Sequence, residues 1–453
     1  MTRAELRASL SLAALYLLRM LGMFLILPVF SVFARDLPGA TPELVGLAIS
    51  AYGLTQAVFQ IPFGLWSDRY GRKPLIVLGL ALFALGGALA ALSDSIFGII
   101  AGRALQGAGA VAGVIMALAA DLTREEHRTK AMALIGISIG FSFALSMVAG
   151  PVLSTWMGLT GLFWVITALA LLGIALVFTV VPTPVVTRFH RDTEVQTASF
   201  GTVLAHPELL RLDFGIFSLH LILTATFVVL PVLLKDRLGL PTADHWHLYL
   251  PVFALALVSM VPFVILAEKY RKMKPVFLAF IALVAAADLG FVWLGGNFWA
   301  VFGLLYVFFT GFNLLEATLP SMISKIAPPD LKGTAMGVYS TAQFLGAFAG
   351  GAGAGWIHGR YGITAVFLYC AAAALLWLGL ALGMKPPRHV SSLLINVGGL
   401  DREQAARLSA RLRQIPGVAE AVVLAEDGVA YLKVDKHRLD QAALTALFQD
   451  LAA

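Results

Sequence analysis

Apolar residues in this chain do not recur every three or four positions, as on a surface helix; they run on in long blocks. Twelve such blocks lie near 10–34, 43–66, 73–92, 95–119, 130–155, 159–181, 209–234, 245–267, 275–294, 297–323, 333–356 and 362–384. Each is close to the roughly 20 residues that carry a helix across about 30 Å of hydrocarbon. Polar residues gather in the short gaps. The pattern predicts an all-α membrane protein with twelve transmembrane helices, because a helix satisfies its own backbone in lipid. The first block follows Arg3 and Arg7, as a signal peptide would. Arg19 interrupts it, no small-residue cleavage site is clear and eleven blocks follow, so it reads as an uncleaved first helix.

The longest polar gap, 182–208, carries Pro182, Pro184, Arg188, His190, Arg191, Asp192 and Glu194 and divides the spans six and six. The halves echo one another. Asp68-Arg69-Tyr70 before Pro74 is answered by Glu268-Lys269-Tyr270 before Pro275, and Ala131-Met132 by Ala335-Met336. Two echoes at nearly equal offsets predict a parallel duplication, with a binding site between the halves near mid-membrane. The expected domains are a six-helix bundle over 1–181, a linker over 182–208, a second bundle over 209–386 and a separate piece over 390–453.

That last piece changes character. Leu393, Ile395 and Val397 alternate with polar neighbours, as in a strand. Asp401 with Gln404 can cap a helix whose apolar face is Leu408, Leu412 and Ile415, ended by Pro416-Gly417. Val418–Leu424 and Val429–Val434 read as a hairpin through Asp427-Gly428, and Asp440 opens a helix with Leu444, Leu447 and Leu451. Strand, helix, strand, strand, helix predicts a small α+β, ferredoxin-like domain, lacking a clear final strand.

Composition agrees with the pattern. Of 453 residues 59% are apolar and only 13% charged, with mean hydropathy +0.86, against about 25% charged in soluble domains. That excludes a soluble enzyme and a disordered or fibrous chain; the partner is the lipid bilayer. A net charge of +6 does not indicate nucleic acid, because the basic residues sit in the gaps. With the N-terminus in the cytoplasm, nineteen Lys and Arg fall on that side and four (Arg35, Lys235, Arg237, Arg360) opposite. The bias predicts both termini inside. The single cysteine, Cys370, gives no disulfide and no thiolate cluster, so redox compartment is uninformative.

The most specific motif runs from Gly64 to Leu75 between the second and third spans: Gly64-Leu65-Trp66-Ser67-Asp68-Arg69-Tyr70-Gly71-Arg72-Lys73-Pro74-Leu75. It resembles the signature loop of the major facilitator superfamily, with Trp66 at a variable place. Gly64 is expected to let two helix backbones approach, Gly71 to turn with positive φ, and Arg69, Arg72 and Lys73 to hold the loop on the inner face. A carboxylate is favoured at a helix N-terminus. Asp68 is therefore expected to meet the start of span eleven, near Gly333 to Ala335, in the outward-open state, with Arg72 paired to Asp121. The bland alternative is a solvated topology loop.

Arg103, Gln106, Gly107 and Gly109 in span four resemble a second family motif. In proton-coupled members this arginine is linked to proton transfer; the alternative is hydrogen bonding to neighbouring helices. Gly136, Gly140, Gly150 and Pro151 in span five partly resemble the antiporter motif, with Ser154-Thr155 where a glycine pair stands, which weakens an exporter reading. Leu21-Gly22 and Pro28-Val29 resemble the first-helix pattern, with Ser31 in place of its closing proline.

Few other ionisable groups interrupt the spans. Glu316, beside Asn313 and before Pro320, is a candidate proton or substrate residue or a structural partner of another helix. Arg19 reads as a cavity cation or, preferably, a side chain snorkelling to the inner surface. Asp288 is expected at a structural or edge position, His220 simply hydrogen-bonded, and Phe141 and Phe143 in lipid-facing packing. No phosphate-cradling loop points to ATP, and no metal spacing appears. The tail's Gly398-Gly399-Leu400-Asp401 loop has no cysteine, so its shape comes without copper or zinc chemistry.

Resemblance therefore implies a transporter, not an enzyme, in a bacterial inner membrane, without a cofactor, using protons to export amphipathic or drug-like small molecules. The alternatives are proton-coupled transport of a specific metabolite (sugar, amino acid or organic anion) and a non-transporting sensor using the tail. Whether the tail binds a ligand of its own is left open.

Overall fold

Each span starts and stops where local chemistry requires. Thr2 caps the first helix, Arg3–Phe24: its hydroxyl accepts from the Glu5 amide at 3.2 Å, and the Glu5 carboxylate accepts from the Thr2 amide at 2.7 Å. This reciprocal box satisfies two donors that a helix start leaves unpaired. The chain resumes as Phe30–Ala34 just beyond Pro28, which has no amide to continue the ladder. Span two, Pro42–Tyr70, is capped by Thr41 and ends at Gly71, whose φ of 92° suits glycine, as expected. Span three, Arg72–Ala91, begins at once. Span four is broken at Gly109 into Ile96–Ala108 and Ala112–Asp121.

The computed structural model describes residues 1–183, 200–328, 331–386, 391–425, 428–435 and 438–452. The linker residues Pro184, Arg188, His190, Arg191, Asp192 and Glu194, and Asp427 of the expected hairpin, lie outside them. Ten helices among the described residues meet both length and hydropathy for crossing a membrane. Two departures from twelve have physical causes. Spans five and six run on as Glu125–Thr179, 55 residues that turn on Gly158 at φ 64°; at about 1.5 Å per residue this is far too long for one crossing. Span eleven, Lys332–Tyr361, has 30 residues but is too rich in glycine to score as apolar. The remaining spans are Pro207–Val232, His245–Glu268, Met273–Leu294, Phe298–Ile326 and Ile363–Leu382. Trp156 at 79% and Val258 at 72% exposure show the outer surface is apolar, as lipid requires.

The chain forms two compact units. The first holds 1–188, 211–319 and 337–384, and within it the duplication is visible as a repeated bond. Lys73 Nζ, at the start of span three, donates to the Val181 carbonyl at the end of span six at 2.9 Å. Lys274 Nζ, at the start of span nine, donates to the Leu382 carbonyl at the end of span twelve at 3.0 Å. Both bonds span 108 residues, and each satisfies a carbonyl left open at a helix end.

The second unit holds 189–210, 320–336 and 385–453. Its strands β1 (Ser391–Asn396), β2 (Val418–Leu424) and β3 (Val429–Val434) form an antiparallel sheet in the order β1-β3-β2. Helix Arg402–Arg413 starts in the expected Asp401–Gln404 box and packs Leu408, Leu412 and Ile415 on that sheet, with Leu444 and Leu447 of Gln441–Ala452. On β3 the Lys433 side chain is buried. It donates to the carbonyls of Lys325 at 2.9 Å and Ile326 at 3.4 Å, the end of span ten, and pairs with Glu420 at 3.2 Å.

Candidate transport site

The signature loop folds around one buried guanidinium. Arg72 pairs with Asp68, donates to Ser67 Oγ at 2.6 Å and reaches Asp121 Oδ2 at 3.3 Å. Gly71 puts Arg72 at the first position of span three, so Arg72 faces the ends of spans two and four together. Arg69 instead lies over the Tyr70 ring at 5.5 Å, and Lys73 is taken by the end of span six. The loop thus joins Asp68, Arg72 and Asp121 and leaves Arg69 outside the pair.

Span two carries its small residues on the face toward span eleven. A Cβ at Gly46 would strike the backbone of Gly351 and Gly355, and one at Gly53 would lie 2.9 Å from the Phe344 carbonyl. At Gly64, on the same face five turns from Gly46, a Cβ would meet nothing within 4 Å. The close approach expected at Gly64 is therefore absent; the two helices touch toward the end opposite Asp68. That end is also tied by Arg35 to Asp236 at 2.6 Å. Gly107 and Gly109 do admit backbones, those of Tyr52 and Gly79, and a Cβ at Gly150 would lie 2.5 Å from the Leu25 carbonyl. Gly140 faces open space. The face of span five that meets span one is Ser142, Ser146 and Gly150, and the two serine hydroxyls donate to the Leu17 and Leu21 carbonyls; Gly140 points away from that stripe, and Pro151 lies beside it.

Two polar clusters lie within the apolar interior. In the first six spans Arg19, 1% exposed, donates to the Tyr52 hydroxyl at 2.9 Å and to Gln56 Oε1 at 3.0 Å, leaving Nε and Nη1 without partners among the described residues. It does not snorkel: its partners on span two hold it inside. Arg103 lies over the same Tyr52 ring at 4.9 Å and donates to Gln106 and to the Ile49 carbonyl. Through Tyr52 and Ile49 these contacts join span four to span two.

In the last six spans Gln343 Nε2 donates to His220 Nε2 at 2.8 Å and to Glu316 Oε1 at 3.4 Å. Since the amide is a donor there, the imidazole accepts at Nε2 and carries its proton on Nδ1. Nδ1 stands 3.8 Å from Glu316 Oε2, just beyond a hydrogen bond. Asn313 Nδ2, Asp213 and the Tyr339 hydroxyl are buried nearby in sequence on the same three spans, without hydrogen-bond partners among the described residues. His220 is hydrogen-bonded, as expected, and its ring also stands beside Glu316. The Tyr52 ring, which Arg19 and Arg103 contact, meets the ring of Phe344, the residue after Gln343, at 6.3 Å.

Asp213, Gln343, Tyr339, Tyr52 and Gln56 were not among the sequence candidates. Asp213 could have been, since it is a carboxylate one turn inside a predicted span. Asp288 is fully buried with both oxygens unpartnered, an interior rather than edge position. Phe143 is also interior, packed on Phe24, Phe253 and Phe309, whereas Phe141 is exposed as expected.

The chain matches the Major Facilitator Superfamily over residues 12–351. It is 51% identical over 435 residues to the inner membrane transport protein YajR of Escherichia coli (strain K12), covering 96% of this chain and 95% of the relative. A multidrug resistance protein, MdtH of Aeromonas salmonicida, is 28% identical over 76% of this chain and 85% of its own length. Among solved structures, a bacterial homolog of the human lysosomal transporter Spinster, inward-facing and occupied, superposes with TM-score 0.69 at 12% identity, covering 84% of this chain and 97% of that one. With a match over three quarters of its length and a relative identical at half its positions, the chain belongs to the Major Facilitator Superfamily, as a multi-pass transporter of the inner membrane.

Proposed function

We propose that this transporter exports amphipathic, drug-like small molecules in exchange for protons, by alternating access between bundles 1–181 and 209–386 joined by linker 182–208. The observation that carries the reading is the Glu316–Gln343–His220 cluster: a carboxyl that keeps 36% of its side chain exposed and an imidazole, joined by one amide among apolar spans. A charge placed there is costly unless it is neutralised or paired. Proton arrival on Glu316 removes its charge and its hold on Gln343; substrate cation and proton then compete for one carboxylate. Kinship with a protein named for multidrug resistance supports the substrate class.

The excess of basic residues on one side supports an orientation with the Asp68 end, both termini and a ferredoxin-like tail in the cytoplasm. Contact at Gly46 and Gly53 then makes this the inward-facing state. Extending that antiparallel pairing along spans two and eleven brings Gly64 opposite Ala335 and Asp68 opposite the first turn of span eleven, in the outward-facing state. There the carboxylate meets the helix's unpaired amides, so Asp68, Arg72 and Asp121 act as the cytoplasmic latch.

The reading is tested in proteoliposomes loaded with lipophilic cations. An imposed pH gradient should drive dye movement, and a protonophore should stop it. No gradient-dependent flux across a panel of amphipathic compounds would contradict export.

A further inference from the structure

Outside the transport path, spans one and six leave a groove of about 480 Å3 between their ends on the Asp68 side, lined by Arg3, Leu6, Arg7, Leu10, Leu176 and Val180. Its two ends differ in chemistry. Arg3 and Arg7 stand one turn apart on one helix face, at the start of the span where water meets lipid. Leu6 and Leu10, 44% and 51% exposed, continue the groove toward the hydrocarbon.

Glu5, the acid of that turn, is used by Arg124 Nε at 2.9 Å and by the Thr2 amide. Among the described residues no carboxylate pairs with Arg3 or Arg7. Like charges one turn apart repel, and an anion set between them removes the repulsion while accepting bidentate bonds. An apolar groove leading away from a paired guanidinium site fits a molecule with a phosphate at one end and acyl chains at the other. We propose that this groove is a binding site for an anionic glycerophospholipid, its phosphate on Arg3 and Arg7 and an acyl chain along Leu10 and Leu176. The site is independent of the transport reading.

The test is native mass spectrometry of the full-length protein in detergent, offered equal amounts of phosphatidylglycerol and phosphatidylcholine with identical chains. Wild type should retain phosphatidylglycerol preferentially. Arg3→Gln/Arg7→Gln should weaken that retention about 30-fold, from the contribution of about two surface basic groups. Lys269→Gln/Lys272→Gln, with the same loss of charge elsewhere, should retain it. If the arginine pair proves necessary for folding, Leu10→Trp fills the apolar half with both arginines intact and should still lower retention. Equal retention of the two lipids by wild type, or an unchanged preference in either groove variant, overturns the site.

Discussion

Arg35 and Asp236 stand 201 residues apart in the chain and 2.6 Å apart in space. The offset that relates them also relates Lys73 to Lys274 and Val181 to Leu382, whose bonds repeat in the two halves. Arg35 and Asp236 are thus counterparts in the duplication, and counterparts meet only near the axis that relates the halves. The pair is more than a third exposed on both sides, so it adds at most about 1 kcal/mol; its value is as a marker of closure at that end. Arg35→Cys/Asp236→Cys should be joined by a short bifunctional thiol reagent, with little background from the buried Cys370, and joining should stop transport. Full transport after quantitative joining, read by gel shift and vesicle flux, would show that this end need not open.

The glycine face of span two separates fold from switching. Gly46→Val forces a side chain into the Gly351 backbone and should cost about 1–3 kcal/mol, seen as a lowered melting temperature in detergent. Gly64→Val has open space in this state and should melt as wild type does. It should nonetheless slow transport at least about tenfold, because the proposed outward-facing state sets Gly64 against Ala335 (a block of about 1.4 kcal/mol suffices for that factor).

Arg72 depends on its two carboxylates unequally. Asp121 is almost wholly buried beside it, whereas Asp68 keeps 24% of its side chain exposed. Asp121→Ala leaves buried charge poorly paired and should cost about 3–5 kcal/mol, with reduced yield of folded protein in the membrane. Asp68→Asn keeps an acceptor for Arg72 but loses the charge for span eleven, so insertion and melting should hold while flux falls. Matching losses of folding in both variants would reduce the loop to a structural staple.

Lys433 supplies a charged donor to the last carbonyls of span ten, the helix that carries Glu316. Charge-assisted bonds of this kind contribute about 1.5–3 kcal/mol. Lys433→Met should fray that helix end, seen as at least about tenfold faster amide exchange over residues 322–328, with Lys433→Arg restoring much of the protection. Unchanged exchange in the methionine variant would leave the tail without mechanical hold on span ten.

The spans were legible because lipid imposes one demand along the whole of a helix, and the tail because its strands and caps obey local rules. Interior contacts were not legible in the same way. A polar residue within a span says that it needs a partner, not which one: Arg19 could have reached outward, and only the position of Tyr52 and Gln56 on the next helix decides that it does not. Gly140 and Gly150 look alike in sequence, yet a Cβ at Gly150 would strike the Leu25 carbonyl and one at Gly140 would meet nothing within 4 Å. Gln343, neutral and unremarked, holds Glu316 and His220 together because three distant segments converge on it. Lys73 and Lys274, by contrast, each stand just before the prolines that reveal the duplication, so their equivalence was readable although their acceptors were not.

Glu316→Gln in proteoliposomes tests the coupling most directly, because it removes the ionisable group while keeping an amide for Gln343. Exchange of labelled substrate at equal pH on both sides should persist, while accumulation driven by a pH gradient, and proton movement followed with an internal pH dye, should be lost. Gradient-driven accumulation at the wild-type rate in the glutamine variant would contradict a proton carrier at this carboxylate.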